Sequence, residues 1–163
     1  MNKLAAGVLG GAVGTTALNL MTYLDIAVRG RPPSELPAKV VEKLASTAGL
    51  NLAGEGPDNR KARNRRSGLG ALLGYATGLG LGLVYGAARR QVRLPPIAAA
   101  AILGLGAMAM SDVPITLLRL TDPRTWGLTD WVSDIVPHLA YGAATALAFE
   151  GLAGVSSPSG EGS

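Results

Sequence analysis

Four stretches of the chain are apolar almost without interruption: Leu4 to Val28, Gly68 to Ala88, Leu94 to Leu118, and about Trp131 to Leu152. Each is close to the ~20 residues an α-helix needs to cross ~30 Å of hydrocarbon. Between the first two lies a long polar loop, residues 29–67, in two parts. From Ser34 to Ala48 the pattern turns amphipathic, with Leu36, Val40, Val41, Leu44 and Ala48 on one helical face and Glu35, Lys39, Glu42 and Lys43 off it. Such a helix suits the headgroup layer. Leu52 to Arg66 is rich in glycine and charge and reads as a mobile connection. The remaining connections are short, as helical hairpins require. Residues 155–163 (VSSPSGEGS) offer almost nothing to bury and are expected to be a disordered tail. The pattern therefore predicts an all-α integral membrane bundle of four transmembrane helices over residues 1–154, with an interfacial helix in its first loop.

Composition supports lipid as the solvent. The apolar set is 48% of 163 residues and only 16% are charged, below the ~25% usual in soluble domains. One Phe, two Trp and four Tyr are few for a water-soluble core, where aromatics supply much of the buried area. The chain has 23 glycines, and each costs ~1 kcal/mol against alanine in a water-exposed helix; in transmembrane helices glycine is common and useful. A cleaved signal peptide is the alternative for the first stretch, but the apolar run exceeds a typical h-region. With no cysteine, disulfide scaffolds and thiolate metal sites are excluded.

Glycine spacing predicts how the helices meet. The second stretch carries Gly70, Gly74, Gly78, Gly82 and Gly86 at strict four-residue intervals, a groove that drifts ~40° around the helix per step. Gly7, Gly11 and Thr15 of the first stretch form a matching surface, with Gly10 and Gly14 beside it. Weaker small-residue rows occur at Ala100 with Gly104 and at Ala140, Ala144 and Ala148. Close backbone approach gains dispersion contact where lipid supplies no hydrophobic drive. A faint repeat links Asp25 with the following RGRPP to Asp112 with TDPR, and LLGYATGL to LAYGAATAL. It suggests two hairpins in a 2+2 arrangement.

Polar groups at membrane depth are the functional pointers, because a charge there is costly unless paired. Asp112 and His138 fall at similar depth on the third and fourth helices, which makes a hydrogen bond between them reasonable, with Ser111 and Tyr141 as further partners. Asn19, also deep, has Tyr75 or Thr77 within reach by the same reckoning. Two readings of this layer stand: polar glue that fixes helix register, or a proton or ion path in which Asp112 sets the tautomer of His138. Asp134 and His138 stand at i,i+4, a spacing compatible with metal, but no further His or Cys completes a set and no metal is expected. Asp25 is placed to pair with Arg29 at i+4, and Trp126 and Trp131 flank the fourth helix as interfacial anchors do.

Charge sets orientation. Eleven of the 15 Lys/Arg lie in the first and third loops, against Lys3, Arg89, Arg90 and Arg93 on the other side. Positive-inside bias then puts the basic loop in the cytoplasm and both termini outside. The run Arg60, Lys61, Arg63, Arg65 and Arg66 lacks interleaved aromatics and a recognition fold, so it reads as contact with anionic headgroups, not nucleic acid. No GxSxG, P-loop, HExxH or Cys nucleophile occurs, and the GLGLG string sits inside an apolar span rather than after a strand. No cofactor is expected.

Four Gly/Ala-rich spans, GRPP after the first and the string His138 to Gly142 in the last resemble the small YagU-like bacterial inner-membrane proteins. The resemblance implies a multi-pass inner-membrane location and no catalytic residue; the long basic insertion departs from it. Two functions remain in view. One is a non-enzymatic envelope component, an accessory or assembly partner. The other is a small oligomeric transporter or channel using Asp112, His138 and Asn19. A second copy of the chain or another membrane protein is the expected partner.

Overall fold

Asn2 opens the first helix by accepting a hydrogen bond from the Ala5 N–H at 2.8 Å, which satisfies one of the orphan donors of the first turn. Gly30 closes it at φ 63°, a left-handed position that glycine occupies without strain. The computed structural model describes residues 1–52 and 59–154, and these form α1 (Lys3–Arg29), α2 (Leu36–Thr47), α3 (Arg60–Ala88), α4 (Pro96–Leu117) and α5 (Leu128–Gly154), with a single 3-10 turn at Pro123–Thr125. There is no strand among the described residues. The fold is all-helical.

Three helices, α1, α3 and α4, are long and apolar enough to cross a membrane. Helix α5 matches them in length but carries Asp130, Asp134, His138 and Glu150. The tail expected to be disordered, and the middle of the connection expected to be mobile, lie outside the described residues.

The helix boundaries correct one expectation. The helix that carries the second apolar stretch begins at Arg60, ahead of Gly68, so the basic run from Arg60 to Arg66 is the first two turns of α3 instead of loop. Arginine, lysine and alanine are good helix formers, and the run is braced by α2: Arg66 pairs with Glu42 at 2.7 Å and Arg63 with Glu35 at 3.2 Å. Helix α2 in turn lies on α3 through Val40 and Ala45, while Leu44 and Ala48 of its predicted apolar stripe are exposed.

Helix α1 is the centre of the bundle, packed on α3 along one side and on α5 along another; α5 also packs on α4, and α3 barely touches α4. A symmetric pair of hairpins would make the α1·α5 and α3·α4 interfaces equal. The first is extensive and the second slight, so α1 with α3 and α4 with α5 pack as two hairpins that are joined to each other mainly through α1 and α5.

Glycine decides these contacts. A methyl group on Gly11 would fall 2.6 Å from the Gly78 carbonyl oxygen, and one on Gly82 would fall 2.7 Å from Gly11 Cα. On its other side α1 presents Gly10 and Gly14, where a methyl would lie 3.0 Å from the Thr145 carbonyl oxygen and 2.9 Å from the Tyr141 ring. Gly142 of α5 meets Gly104 of α4 in the same manner. The five-glycine row of α3 does not serve one partner: Gly78, Gly82 and Gly86 face α1, Gly70 backs onto Pro37 of α2, and Gly74 faces open space. A row that drifts ~40° per step leaves one partner for another within two or three steps. Ala140, Ala144 and Ala148 of α5 are only half-buried; its buried contacts are Tyr141, Gly142, Thr145, Ala146 and Phe149.

Candidate functional site

Where α4 and α5 run antiparallel, four polar side chains gather. Ser111 Oγ donates to Asp112 Oδ1 at 3.2 Å and lies 3.3 Å from His138 Nε2. His138 Nδ1 is 2.7 Å from the Asp134 carbonyl oxygen and 3.3 Å from its carboxylate Oδ1. The i,i+4 spacing on α5 puts Asp134 one turn below His138, and the carboxyl groups of Asp134 and Asp112 neighbour each other across the helix interface. Asp112 and His138 are thus joined through Ser111, where the sequence suggested a direct bond. Asp134 enters as a full member although spacing pointed only to a weak metal pair. Its carboxylate in a predicted span, one turn from the sole histidine, was the signal available.

The chemistry of this layer follows from its donors. His138 is oriented by Asp134 at Nδ1 and by Ser111 at Nε2, so both ring nitrogens have partners. Asp134 Oδ2 is buried without a hydrogen-bond partner. A buried carboxylate oxygen lacking a donor costs ~1–3 kcal/mol or more. No group of three His, Cys, Asp or Glu among the described residues is arranged to hold a metal ion. A cavity of about 160 Å³ opens beside His138, walled by Gly104, Met108, Ile135 and Leu139.

Two residues expected in this layer are engaged elsewhere. Tyr141 is buried and its hydroxyl donates to the Gly78 carbonyl oxygen at 2.7 Å, so it crosses from α5 to the glycine face of α3. Asn19 donates to the Tyr75 hydroxyl at 3.5 Å, one of the two partners expected for it. At the same end of α1, Asp25 pairs with Arg29 at 2.6 Å, as its i+4 spacing predicts, and also with Arg31 at 2.6 Å. Arg29 reaches on to Ser133 of α5. Trp126 and Trp131 pack on each other at 5.1 Å, with the Trp126 indole N–H donating to Thr121.

Of the basic run, Arg63 and Arg66 are committed to α2, and Lys61 and Arg65 are exposed. Sequence reasoning missed Glu150, which lies inside the fourth predicted span and forms an ion pair with Arg89. Its position opposite a basic pair at the end of α3 was the available signal. No family model, curated protein or solved structure matches the chain.

Proposed function

We propose that the chain is a four-span protein of the bacterial cytoplasmic membrane that acts as a non-enzymatic accessory or assembly component of the envelope. The observation that carries this reading is an inverted distribution of side chains. The closest helix contacts are made by Gly, Ala and Thr, with a few large side chains such as Tyr85, Leu103, Tyr141 and Phe149 buried between them, while many large aliphatic groups point outward on every long helix: Leu20 is 65% exposed, Leu72 64%, Ile97 86% and Leu147 69%. In water such faces would aggregate; in lipid they are the solvated surface. The outward face of α5, with Val132, Val136, Leu139 and Leu147, supports α5 as the fourth span despite its charges, since the two aspartates and the histidine turn toward partners. The short α4–α5 connection and the resemblance to YagU-like proteins agree with it. The basic loop faces the cytoplasm and the anionic headgroups there, and a second copy or another membrane protein is the natural partner.

Topology tests the span count directly. The chain has no cysteine, so Asn2→Cys and Ser156→Cys each give a single label site. With four spans both react with an impermeant maleimide from the same side of intact cells; with three, from opposite sides.

A second reading is favoured by the unpartnered Asp134 oxygen: a proton path through Asp112, Ser111, His138 and Asp134, with the protein acting as a small oligomeric transporter or channel. Purified protein in liposomes distinguishes the two. The accessory reading expects no protein-dependent loss of a pH gradient. Flux that disappears in both Asp112→Asn and His138→Ala, with the fold intact, would establish the path instead.

A further inference from the structure

At the end of the bundle away from the basic loop, the start of α1, the end of α3, the α3–α4 connection and the end of α5 surround a cavity of about 400 Å³. Three cations line it, Lys3, Arg89 and Arg93, against one carboxylate, Glu150; Leu94 and Phe149 supply apolar wall. Arg89 is built into the site. Its side chain is only 12% exposed; it donates to the Leu94 carbonyl oxygen at 3.2 Å and pairs with Glu150. Its guanidinium carbon stands 5.8 Å from the Phe149 ring centre and 5.9 Å from that of Tyr85, and these rings meet edge to face at 4.9 Å. Arg89 Nε is buried with no hydrogen-bond partner. Lys3 Nζ donates to the Arg89 carbonyl oxygen at 2.7 Å, which fixes the ammonium at the rim while leaving it further protons to donate. Glu150 offsets Arg89, so among the described residues the charge of Lys3 and Arg93 is not balanced by any carboxylate lining the cavity.

We propose that this cavity binds the phosphodiester of an anionic phospholipid. Its cations stand at the ends of apolar helices on the side opposite the basic loop, the depth at which headgroup phosphates lie, and their charge favours an anionic headgroup over a neutral one. Lys3 and Arg93 hold the phosphate, Arg89 sets the shape and field of the floor over the buried Phe149 ring, and Leu94 and Ala153 lie beside the glycerol and the upper acyl chain. A free phosphate would gain the charge but leave that wall uncovered. Arg89 is a positioning residue, because its hydrogen bonds and ion pair are spent on the protein.

The assignment rests on the membrane placement proposed above. Recovery of the protein in the membrane fraction tests that placement first, so the two can fail separately. Protein purified in a non-ionic detergent is then titrated with short-chain phosphatidylglycerol or phosphatidylcholine and read by native mass spectrometry. Wild type is expected to prefer phosphatidylglycerol, and Lys3→Gln with Arg93→Gln to lose about thirtyfold in that preference. Lys3→Arg, which keeps the charge, retains it, as does Lys61→Gln with Arg65→Gln in the basic run. Equal binding of the two lipids, a preference that survives the Lys3 and Arg93 substitutions with an unchanged melting curve, or competition by inorganic phosphate at equal concentration would overturn the proposal.

Discussion

The α1·α3 seam and the polar layer of α4·α5 hold helices together by opposite means. The seam is made of absent side chains: Gly7, Gly11, Gly78, Gly82 and Gly86 let two backbones touch, and its strength is dispersion summed over a close approach. The polar layer is made of Ser111, Asp112, Asp134 and His138, whose partners are few and directional. The seam has no tolerance for added volume. The layer leaves one carboxylate oxygen without a donor.

The sharpest way to break this contrast is to add volume. Gly82→Leu drives a side chain into the backbone of Gly7 and Gly11, and overpacking against an unyielding backbone is expected to cost about 3 kcal/mol or more. Gly74→Leu, eight residues earlier in the same row, meets open space and should leave the melting temperature in detergent unchanged. Equal effects at the two positions would mean that the seam is not where the glycines matter.

His138→Ala probes the layer. It strips a partner from Ser111 and from Asp134 and is expected to cost about 2 kcal/mol, the penalty of leaving buried polar groups unpaired. The reading is a thermal melt, and a neutral result would show that water already satisfies these groups. Tyr141→Phe removes the hydroxyl that donates to Gly78, where layer and seam chemistry meet. A single interhelical hydrogen bond of this kind is worth about 0.6–1.7 kcal/mol in membranes. A larger loss would mark Tyr141 as the element that positions α5 over α3.

The smallest expected effect is a gain. Arg119 ends α4 at φ 56°, with the Leu120 N–H bonded back to the Ile115 carbonyl oxygen at 2.9 Å, a helix stop that favours glycine. Arg119→Gly should stabilise the protein by about 0.5–1 kcal/mol, seen as a modest rise in melting temperature. Unlike the first two substitutions it acts through local backbone strain, independent of either helix interface.

Much of the fold was legible in the order of residues. Helix identity, the short hairpins and the pairing of Asp25 with Arg29 follow from hydropathy runs and i+4 spacing, which are local properties of a chain that must satisfy its own backbone hydrogen bonds. Gly7, Gly11 and Gly82 were readable as a contact surface for the same reason, since a missing side chain is visible in sequence. The start of α3 was not: the charged segment from Arg60 to Arg66 looked like loop because its helix is stabilised by Glu35 and Glu42 from another element.

Sequence by itself determined an all-helical chain with long apolar helices, a glycine seam and a few costly polar groups among them, because period and composition act within a turn or two. Only the tertiary structure decided which partner each glycine meets, that Ser111 stands between Asp112 and His138, and that Tyr141 serves Gly78 instead of the polar layer. It alone brought Lys3, Arg89, Arg93 and Glu150, far apart along the chain, to one cavity. Those outcomes depend on the rotation and tilt of whole helices. A drift of ~40° per step in a small-residue row is enough to exchange one neighbour for another, and no local pattern records it.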